Sequence, residues 1–500
     1  MFSAKNFTSF AAKQFHVPDT VSMKKLNAPI TRRPAMTTIT YRTERDSMGA
    51  VSIPADALYG PQTQRAVDNF TISPKPLPWA FLRAMARIKQ AAAETNTALG
   101  LLDQESGEAI RDAADDIVQG AYKDQFPVSV YQTGSGTSTN MNVNEVICSI
   151  AGKRGITLSP NDHVNLGQST NDVFPTAMQL AAAEGLRFLV DPALSRLADS
   201  IRRKATEYKG VIKTGRTHLM DALPVYLRDE MEAWAVAVDE CRERLADVLP
   251  RLLRLPLGGT AVGSGVNCHP DFAARAVARL AEITALPCTS APSLFKGLSS
   301  LDSVVEVSGH LKTTAVVLMK IAGDLRWMNS GPLAGIGEIT LPALQPGSSI
   351  MPAKVNPVIP EAVCMAAAQV IGHDTVITVA GQSGNFQLNT MFPLVATDLL
   401  ESIDLLAGSA RSLAEKAIDG MRVNIEVCDR ALSRNPILVT ALTPEIGYLK
   451  AAELAKLAID QDKPILEVAL EETGLPPALL RRLLDPRNLA GGGGGAPTSG

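Results

Sequence analysis

The residues best suited to chemistry lie in one polar stretch, Gly347–Pro357, with the sequence GSSIMPAKVNP. It offers two adjacent hydroxyls, the ammonium of Lys354 and the amide of Asn356. Helical patterns are predicted on both sides, over about Leu301–Trp327 and Glu361–Val379, so a loop would present these groups between two rigid elements. Glycine and serine let backbone N–H groups face an anion, and the two prolines restrict the backbone. The stretch is therefore predicted to be a catalytic loop that can hold a carboxylate.

Residues 347–357 resemble, almost letter for letter, the signature of the fumarase/aspartase superfamily, whose members eliminate a group from a dicarboxylate-type substrate to leave a double bond. The resemblance implies that Ser348 is the base, acting as an alkoxide, and that Lys354 and Asn356 bind a substrate carboxylate. Such eliminations need a base for a weakly acidic proton, together with positive charge and N–H donors for the aci-carboxylate that forms. The alternative interpretation is a solvated loop rich in Ser, Gly and Pro.

A second chemical stretch, Tyr131–Asn142, alternates glycine and hydroxyl residues just before a helical pattern. Hydroxyls and exposed amides at a helix N-terminus are suited to binding an anion. The resemblance implies that Ser135 and Thr137 contact a substrate carboxylate. Helix capping would account for one hydroxyl but not for the whole string.

A third stretch, Gln168–Asp172, places short polar side chains ahead of a long helix predicted over about Pro175–Tyr208. Such side chains suit hydrogen bonding to a small anionic ligand. The resemblance implies that Ser169, Thr170 and Asn171 line the substrate pocket.

The block Thr214–Ala222 contains His218, whose residue type can pass a proton to or from water near neutral pH. A lone histidine is more often a structural residue than a catalyst. The block nevertheless matches the superfamily, which implies that His218 activates water on the face opposite Ser348. It also implies that Glu361 orients this histidine and that Thr217 binds substrate.

Behind this block the sequence departs from the superfamily pattern. Arg228 and Asp229 add charge where the relatives usually have Gly-Gln. One interpretation is a solvated ion pair, and the other is a change in which substrate fits.

The motifs together imply reversible hydration of fumarate to malate, without a metal ion or an organic cofactor. The closest rival is aspartase, which releases ammonia instead of water. Thr170, Ala353 and Val358–Glu361 favour aspartase, whereas TGSGT, GRTH and SGNFQLN favour fumarase. Within SGNFQLN, Gly384–Asn389 is predicted to begin the last bundle helix, which runs to about Ile418. A lyase for another substituted succinate is a third interpretation, and the charged pair after the histidine block keeps it open.

A hypothesis from a different class is a catalytically silent structural paralogue. Such a protein would be free to lose its chemical side chains. The four residues that such a paralogue would be free to lose are all present in this chain, namely Ser348, Lys354, His218 and Glu361.

The composition is that of a soluble globular protein, with 46% hydrophobic and 20% charged residues in 500. A formal net charge of −3 and scattered basic residues provide no field for nucleic acid. The six cysteines lie at least twenty residues apart, so neither a zinc site nor a compact disulfide framework is indicated. Apolar runs are interrupted by Lys320 and by His373-Asp374 before they reach the roughly 18 to 20 residues of a spanning helix. We therefore predict no nucleic-acid partner and no membrane insertion.

Long Ala-rich helical patterns with few β-branched runs predict an all-α chain. The resemblance implies a three-domain fold with a central bundle of long helices, and a homotetramer in which each pocket is assembled from three subunits. Broad apolar faces on the bundle helices also favour oligomerisation. The predicted divisions are an N-terminal extension (1–40), an N-terminal mostly helical domain (41–165), a central bundle with the catalytic loop (166–425), a small C-terminal helical domain (426–490) and a flexible Gly-rich tail (491–500).

The first forty residues carry six Lys and Arg residues against a single acid, Asp19, with several Ser, Thr and Phe residues. This composition is compatible with an organelle transit peptide, and a disordered extension is the alternative interpretation. The expected location is mitochondrial if the segment is a transit peptide and cytoplasmic otherwise.

Overall fold

The computed structural model describes residues 40–491, and most of these residues are helical. The α-helices are α1 (Pro61–Asn69), α2 (Trp79–Ala98), α3 (Gln104–Val118), α4 (Thr137–Lys153), α5 (Thr170–Gly185), α6 (Asp191–Glu207), α7 (Leu227–Leu252), α8 (Phe272–Thr284), α9 (Leu294–Ser299), α10 (Asp302–Met328), α11 (Val358–Gly381), α12 (Phe392–Leu413), α13 (Ile425–Ser433), α14 (Thr443–Ile446), α15 (Tyr448–Gln461), α16 (Ile465–Glu472), α17 (Pro477–Leu483) and α18 (Pro486–Ala490).

Short strands and other helical turns connect these helices. The strands are β1 (Tyr41–Asp46), β2 (Gly49–Pro54), β3 (Ile212–Thr217), β4 (Met220–Tyr226), β5 (Arg254–Leu255), β6 (Thr289–Ser290), β7 (Ile339–Thr340), β8 (Gly384–Asn385), β9 (Leu388–Asn389) and β10 (Arg422–Val423). They pair as β1–β2, β3–β4, β7–β10 and β8–β9 in antiparallel fashion and as β5–β6 in parallel. π-Helical turns span Pro160–Val164, Leu186–Val190 and Ala414–Ile418, and 3₁₀ turns span Lys123–Gln125 and Pro436–Leu442.

The long helices α10 and α11 run antiparallel in the centre of the bundle. Near the start of α10, Ser308 Oγ donates to Asp374 Oδ1 at 2.8 Å, well along α11. Near the end of α10, Arg326 Nη1 lies 4.0 Å from the sulfur of Cys364, close to the start of α11. The C-terminal end of α10 therefore lies beside the N-terminal end of α11.

Helix α7 is also antiparallel to α10. Arg251, at the end of α7, pairs with Glu306 at 2.7 Å, whereas Lys320 lies over the ring of Trp234 at 5.7 Å. The start of α7, the end of α10 and the start of α11 consequently meet at one end of the bundle, which positions the loops between them.

Two hydrophobic cores hold these elements together. The larger core runs from Val51 and Ile53 of β2 through the bundle to Met421 and includes side chains of α2, α5, α7, α10, α11 and α12. The smaller core is formed by residues between Leu432 and Leu484, with Ile212 of β3 packed against them. The C-terminal helices thus pack on the strand that leads to the histidine block.

The helix predicted over Pro175–Tyr208 differs from the structure at both its start and its middle. It begins at Thr170 and consists of α5 and α6 joined by a π-helical turn. The helix starts before Pro175 because Ser169 caps it, while Asp172 Oδ1 accepts from the N–H of Ser169 at 2.9 Å. This capping outweighs the single backbone bond that the proline removes.

The segment Gly384–Asn389 was predicted to begin the last bundle helix, and this prediction is wrong. It forms the β8–β9 hairpin, and α12 begins at Phe392. The side chain of Asn389 explains the break, because it donates to the carbonyl of Ala380 at 2.9 Å and accepts from the N–H of Met391 at 2.8 Å. It thereby joins the end of α11 to the approach to α12.

Helix α11 is the one described helix long and apolar enough to cross a membrane by length and composition. The prediction that no segment would qualify is therefore wrong for this helix. It packs between α10 and α12. Only 33% of the residues in its apolar 18-residue stretch are buried, and Met365 and Val379 are exposed. Absence of membrane insertion stays a prediction, as do the domain boundaries. The N-terminal extension and the Gly-rich tail lie almost wholly outside the described residues.

Candidate active site

The signature loop, residues 347–357, is closed at its neck by two hydrogen bonds. Gly347 N donates to Lys354 O at 2.8 Å, and Asn356 Nδ2 donates to Gly347 O at 2.8 Å. A Cβ at position 347 would lie 2.4 Å from the Lys354 carbonyl oxygen, so only glycine fits there. The predicted loop is therefore a compact turn with defined side-chain positions.

Within this turn, two backbone donors converge on the hydroxyl of Ser348. Ser348 Oγ accepts from the N–H of Met351 at 3.0 Å and from that of Ile350 at 3.3 Å. Fixed N–H donors aimed at an oxygen stabilise negative charge on it. The geometry suits a hydroxyl that is to lose its proton.

Three predicted site residues, Lys354, Asn356 and Glu361, line one cavity of about 640 Å³ between the end of α10, β7 and the start of α11. Arg326, in the last turn of α10, lines it too. Within residues 40–491, neither Lys354 nor Arg326 forms an ion pair, so both positive charges can serve an anion. Arg326 was missed because its helix carries the pattern of an ordinary core helix.

Thr217 and His218 lie at the tip of the β3–β4 hairpin. His218 has φ 55° and Leu219 has φ 61°, the left-handed backbone of a tight two-residue turn. Both predicted residues are exposed. Their side chains are therefore presented outward from the hairpin tip.

A buried carboxylate anchors this hairpin to the bundle. Glu338, only 1% exposed, pairs with Lys213 at 2.9 Å and with Arg216 at 2.8 Å, and it directly precedes β7. The hairpin thus lies at the same end of the bundle as the signature loop. No local pattern could reveal this role, because Glu338 is 122 residues from Arg216.

Among the described residues, His218 and Glu361 share no hydrogen bond, so the predicted pair is not formed within one chain.

Ser135 and Thr137 lie at the start of α4, with their hydroxyl oxygens 2.9 Å apart. Gly136 between them has φ 83°, and a Cβ there would lie 2.0 Å from the ring of Phe174. The glycine therefore allows α4 to begin against the bundle, while the hydroxyl pair remains accessible.

The residues at the start of α5 have structural partners. Ser169 Oγ accepts from the N–H of Asn171 at 3.3 Å, and Asn171 Nδ2 donates to Ala261 O at 2.8 Å. Thr170 is buried and accepts from Asn140 Nδ2 at 3.1 Å. Because Asn140 belongs to α4, this contact places the starts of α4 and α5 side by side.

A buried polar network lies beneath these two helix starts. Lys89 is fully buried and donates to Asn165 Oδ1 at 3.1 Å and to Gln168 Oε1 at 3.0 Å. Burial lowers the pKa of Lys89 to about 7. Burial likewise raises the pKa of Asp172 to about 6, although three backbone N–H groups donate to this carboxylate. Lys89 lies in an Ala-rich helical pattern, which gives no signal of a buried polar network.

The predicted site residues therefore fall into two groups at opposite ends of α11. Ser348, Lys354 and Asn356 immediately precede this helix, whereas the segment after its end, at Thr390 and Phe392, contacts Gly134 beside Ser135. With 24 residues, α11 is about 36 Å long. Within one chain, the two groups cannot contact the same small molecule.

Comparisons with known proteins address the family directly. A family model described as Lyase matches residues 49–372, and one described as Fumarase C C-terminus matches residues 438–491. The class II fumarate hydratase of Xylella fastidiosa is 54% identical over 455 residues, which cover 91% of this chain and 96% of that protein. A class II fumarate hydratase of Pseudomonas aeruginosa is 54% identical over 453 residues, with 90% and 99% covered.

The chain belongs to the fumarase/aspartase superfamily. Within it, the two class II fumarate hydratases named above match over about nine-tenths of the chain. The superfamily fold predicted from the sequence is confirmed by a crystal structure of class II fumarase from Schistosoma mansoni. That structure is 36% identical, has a TM-score of 0.87 and covers 90% of this chain and 99% of its own.

The departure from the superfamily pattern at the start of α7 is an exposed ion pair in this structure. Arg228 Nε lies 3.1 Å from Asp229 Oδ1, with both side chains about half exposed. The guanidinium also lies over the ring of Tyr226 at 4.7 Å. These contacts agree with the first of the two interpretations, a solvated pair.

Proposed function

We propose that this protein is a carbon–oxygen lyase that catalyses the reversible hydration of fumarate to malate. The observation that carries the proposal is the 54% identity to class II fumarate hydratases over about nine-tenths of the chain. The signature loop supports it, because Lys354 and Asn356 line one cavity and the same loop carries the Ser348 hydroxyl, which accepts from two N–H donors. The substrate class is a small dicarboxylate.

On one face of the substrate, Ser348 is the proposed proton-transfer group. In the direction of dehydration, its alkoxide removes a proton from the carbon next to a carboxylate, whose oxygens then carry the charge of the aci-carboxylate. Lys354 and Asn356 hold that carboxylate, so the developing charge meets a cation and an N–H donor. In the direction of hydration the serine hydroxyl returns the proton to carbon.

On the opposite face, His218 is the proposed group that exchanges a proton with water. During hydration it takes a proton from water as the oxygen bonds to the alkene carbon, and during dehydration it returns a proton to the departing hydroxyl. Glu361 orients the imidazole. Thr217 binds substrate from the same hairpin tip.

We propose that the other carboxylate is held by Ser135 and Thr137, with Ser169, Thr170 and Asn171 around the pocket. These residues lie at the far end of α11 from the signature loop of their own chain. A four-carbon diacid is far shorter than this helix, so the pocket needs loops from different chains. A homotetramer in which three subunits contribute to each site meets this requirement, and exposed apolar residues on α11 support association.

The decisive experiment supplies purified protein with fumarate, with and without ammonium, and follows malate and aspartate separately. Malate formation that is independent of ammonium is expected. Aspartate formation that requires ammonium would replace the proposal with the aspartase reaction. Absence of both products, from protein that is folded and oligomeric, would favour a lyase for another substituted succinate or a silent paralogue.

For location, we propose a mitochondrial protein if residues 1–40 are a transit peptide and a cytoplasmic one otherwise. The basic, acid-poor composition of that segment supports the first alternative. Sequencing the N-terminus of the protein purified from its native cells distinguishes the two, because a removed transit peptide would leave a new terminus near residue 40.

A further inference from the structure

A separate cluster of ionisable side chains lies between α11 and α12. His373 projects from α11, and Asp398 and Glu401 project from α12, with ligand atoms of all three within 4.8 Å of one another. Among residues 40–491, this is the one group of three or more His, Cys, Asp or Glu side chains arranged closely enough for a single ion. None of the three was predicted as a site residue, because they are spread over two helices without a recognisable spacing.

The hydrogen bonds of His373 determine which ring nitrogen carries the proton. Ser402 Oγ donates its only hydrogen to the carbonyl oxygen of Asp398 at 2.7 Å. The same Oγ lies 3.0 Å from His373 Nδ1, so Nδ1 must donate to it. In the neutral ring, Nε2 then accepts a hydrogen bond from the side-chain amide nitrogen of Gln369 at 2.7 Å, so its lone pair becomes available to an ion only when Gln369 moves away. A ring held through its other nitrogen in this way is typical of a histidine that binds a metal.

Asp398 has a largely buried carboxylate, with 12% of the side chain exposed, that accepts no hydrogen bond from the described residues. The residue is 9% exposed, and no described residue donates to its side-chain oxygens. Its Oδ1 lies 4.0 Å from His373 Nε2. No hydrogen bond joins these two atoms, since 4.0 Å exceeds the length of a hydrogen bond. Burial of an unpaired carboxylate is costly unless a cation neutralises it.

Glu401 completes the cluster from the next turn of α12. It lies three residues after Asp398, so both carboxylates share one face of the helix. Lys75 Nζ pairs with Glu401 Oε2 at 2.7 Å, whereas Oε1 has no hydrogen bond to a described residue. Binding of an ion here would require the Lys75 ammonium and the Gln369 amide to move away. The Lys75 side chain is 52% exposed, and the exposed Gln369, whose amide nitrogen lies 2.7 Å from His373 Nε2, can move into solvent.

We propose that His373, Asp398 and Glu401 bind one divalent transition-metal ion of the Zn²⁺ class between α11 and α12. Tetrahedral zinc with bonds of about 2.0–2.2 Å holds its ligand atoms about 3.3–3.6 Å apart, so binding would draw His373 Nε2 and Asp398 Oδ1 together from their separation of 4.0 Å. The imidazole ligand favours such an ion over Mg²⁺ or Ca²⁺. Water completes the coordination, and Ser402 holds the imidazole ring from behind.

The ion would add a second link between two bundle helices that the His373–Ser402 hydrogen bond already joins at this level. Its function is structural, because it fastens α11, whose first turn carries Glu361, to α12. Metal binding to the folded state raises stability in proportion to the logarithm of the free metal concentration over its Kd.

The test titrates chelator-treated full-length protein with Zn²⁺ at pH 7.5 in a calorimeter. One site per chain is expected in the unmodified protein. Asp398→Asn and His373→Gln should each weaken it by about tenfold or more, since each removes a ligand. Asp404→Asn is the matched control, because it neutralises an exposed carboxylate on α12 outside the cluster. Absence of a one-per-chain site, or equal affinity in Asp398→Asn, would overturn the proposal.

A second measurement does not depend on whether the variants fold. X-ray absorption of unmodified protein loaded with one equivalent of Zn²⁺ should show one imidazole among oxygen ligands. Sulfur ligation, or two imidazoles, would assign the ion to other residues and reject this site. Heating the same samples should show a higher unfolding temperature with Zn²⁺ than without it, and an unchanged temperature would contradict the structural role.

Discussion

The amide nitrogen of Gly347 lies 2.8 Å from the carbonyl oxygen of Lys354 and donates a hydrogen bond to it. Together with the bond from Asn356 Nδ2 to Gly347 O, this contact brings the two ends of the signature loop together. Ser348 is the residue after Gly347, which donates this bond. Lys354, which accepts it through its carbonyl oxygen, lines the cavity. The position of the proposed base relative to the proposed carboxylate-binding cation is thus set by backbone geometry.

We expect Gly347→Ala to open this loop and to lower kcat by about 10²-fold, as small displacements of reacting groups do. The added Cβ would lie 2.4 Å from Lys354 O and 2.9 Å from Asn356 N, so the neck must widen. Because the loop is mostly exposed, the unfolding temperature should change little. Steady-state kinetics and thermal unfolding measure the two effects.

Gly152→Ala is the control for this substitution. Gly152 lies in α4, and nothing comes within 4 Å of an added Cβ. Alanine should keep the activity and raise stability by less than about 1 kcal/mol, because glycine disfavours helices and position 152 lies in the last turn of α4. Equal activity in both variants would mean that the closed neck is not needed.

Ser348→Ala should reduce turnover by about 10²–10³-fold or more while leaving folding intact. The substitution removes the oxygen on which the N–H groups of Ile350 and Met351 converge, and it breaks no contact with a helix. Ser349→Ala, one residue later and exposed, is the matched control and should stay active. A near-normal rate in Ser348→Ala, with its fold verified by circular dichroism, would remove this serine from the base role.

His218→Asn should depress the rate strongly without disturbing the hairpin. Asparagine tolerates the left-handed φ of 55° at this position, so the turn can persist without the imidazole. The pH–rate profile should change with it. Leu219→Asn keeps the imidazole and alters the neighbouring turn residue, so it should retain most activity. Loss of activity in both variants alike would point to the turn instead of the imidazole.

The sequence was sufficient for the fold class and for the signature loop, because both rest on local patterns. Helical periodicity located α10 and α11 to within three residues. It failed at Pro175, where capping by Ser169 decided the helix start, and at Gly384–Asn389, where one asparagine side chain ends α11.

Contacts between distant segments could not be predicted in this way. Glu338 anchors the histidine hairpin through partners more than a hundred residues away, and Arg326 enters the cavity from a helix with a core-like pattern. Thr170 was predicted to line a pocket, yet its side chain is buried against Asn140. Such roles depend on packing between elements, which a single sequence does not specify.

Lys89 should make stability depend on pH. Its pKa is lowered from 10.5 to about 7 by burial, so between pH 7 and pH 10.5 the unfolded chain holds a proton that the folded chain has lost. Stability therefore rises with pH across that window. From pH 7 to pH 9 the contribution is on the order of 2 kcal/mol.

In Lys89→Met this rise should disappear, whereas Lys153→Met, at an exposed position in α4, should keep it. Urea unfolding at pH 7 and pH 9 for the three proteins measures the difference. An identical pH dependence in Lys89→Met and the unmodified protein would show that this lysine does not titrate in the window.

If each active site is built from several subunits, mixed oligomers of two inactive variants should recover activity. Ser348→Ala removes the proposed base at one end of α11, and a double substitution of Ser135 and Thr137 by alanine removes the anion-binding hydroxyls at the other. If each site draws these groups from different chains, random mixed assemblies contain some intact sites, and about a quarter of the unmodified activity should return. Co-expression with two affinity tags isolates the mixed oligomers for assay.

Ser348→Ala mixed with Lys354→Ala is the control, because both changes lie on one loop and every site then contains a defective loop. This mixture should remain inactive. Recovery in the first mixture alone requires that the two ends of α11 serve different sites, which agrees with a helix about 36 Å long. Mixed oligomers without recovery in either case would mean that each site is built within one chain, and the proposed assembly of the pocket would be wrong.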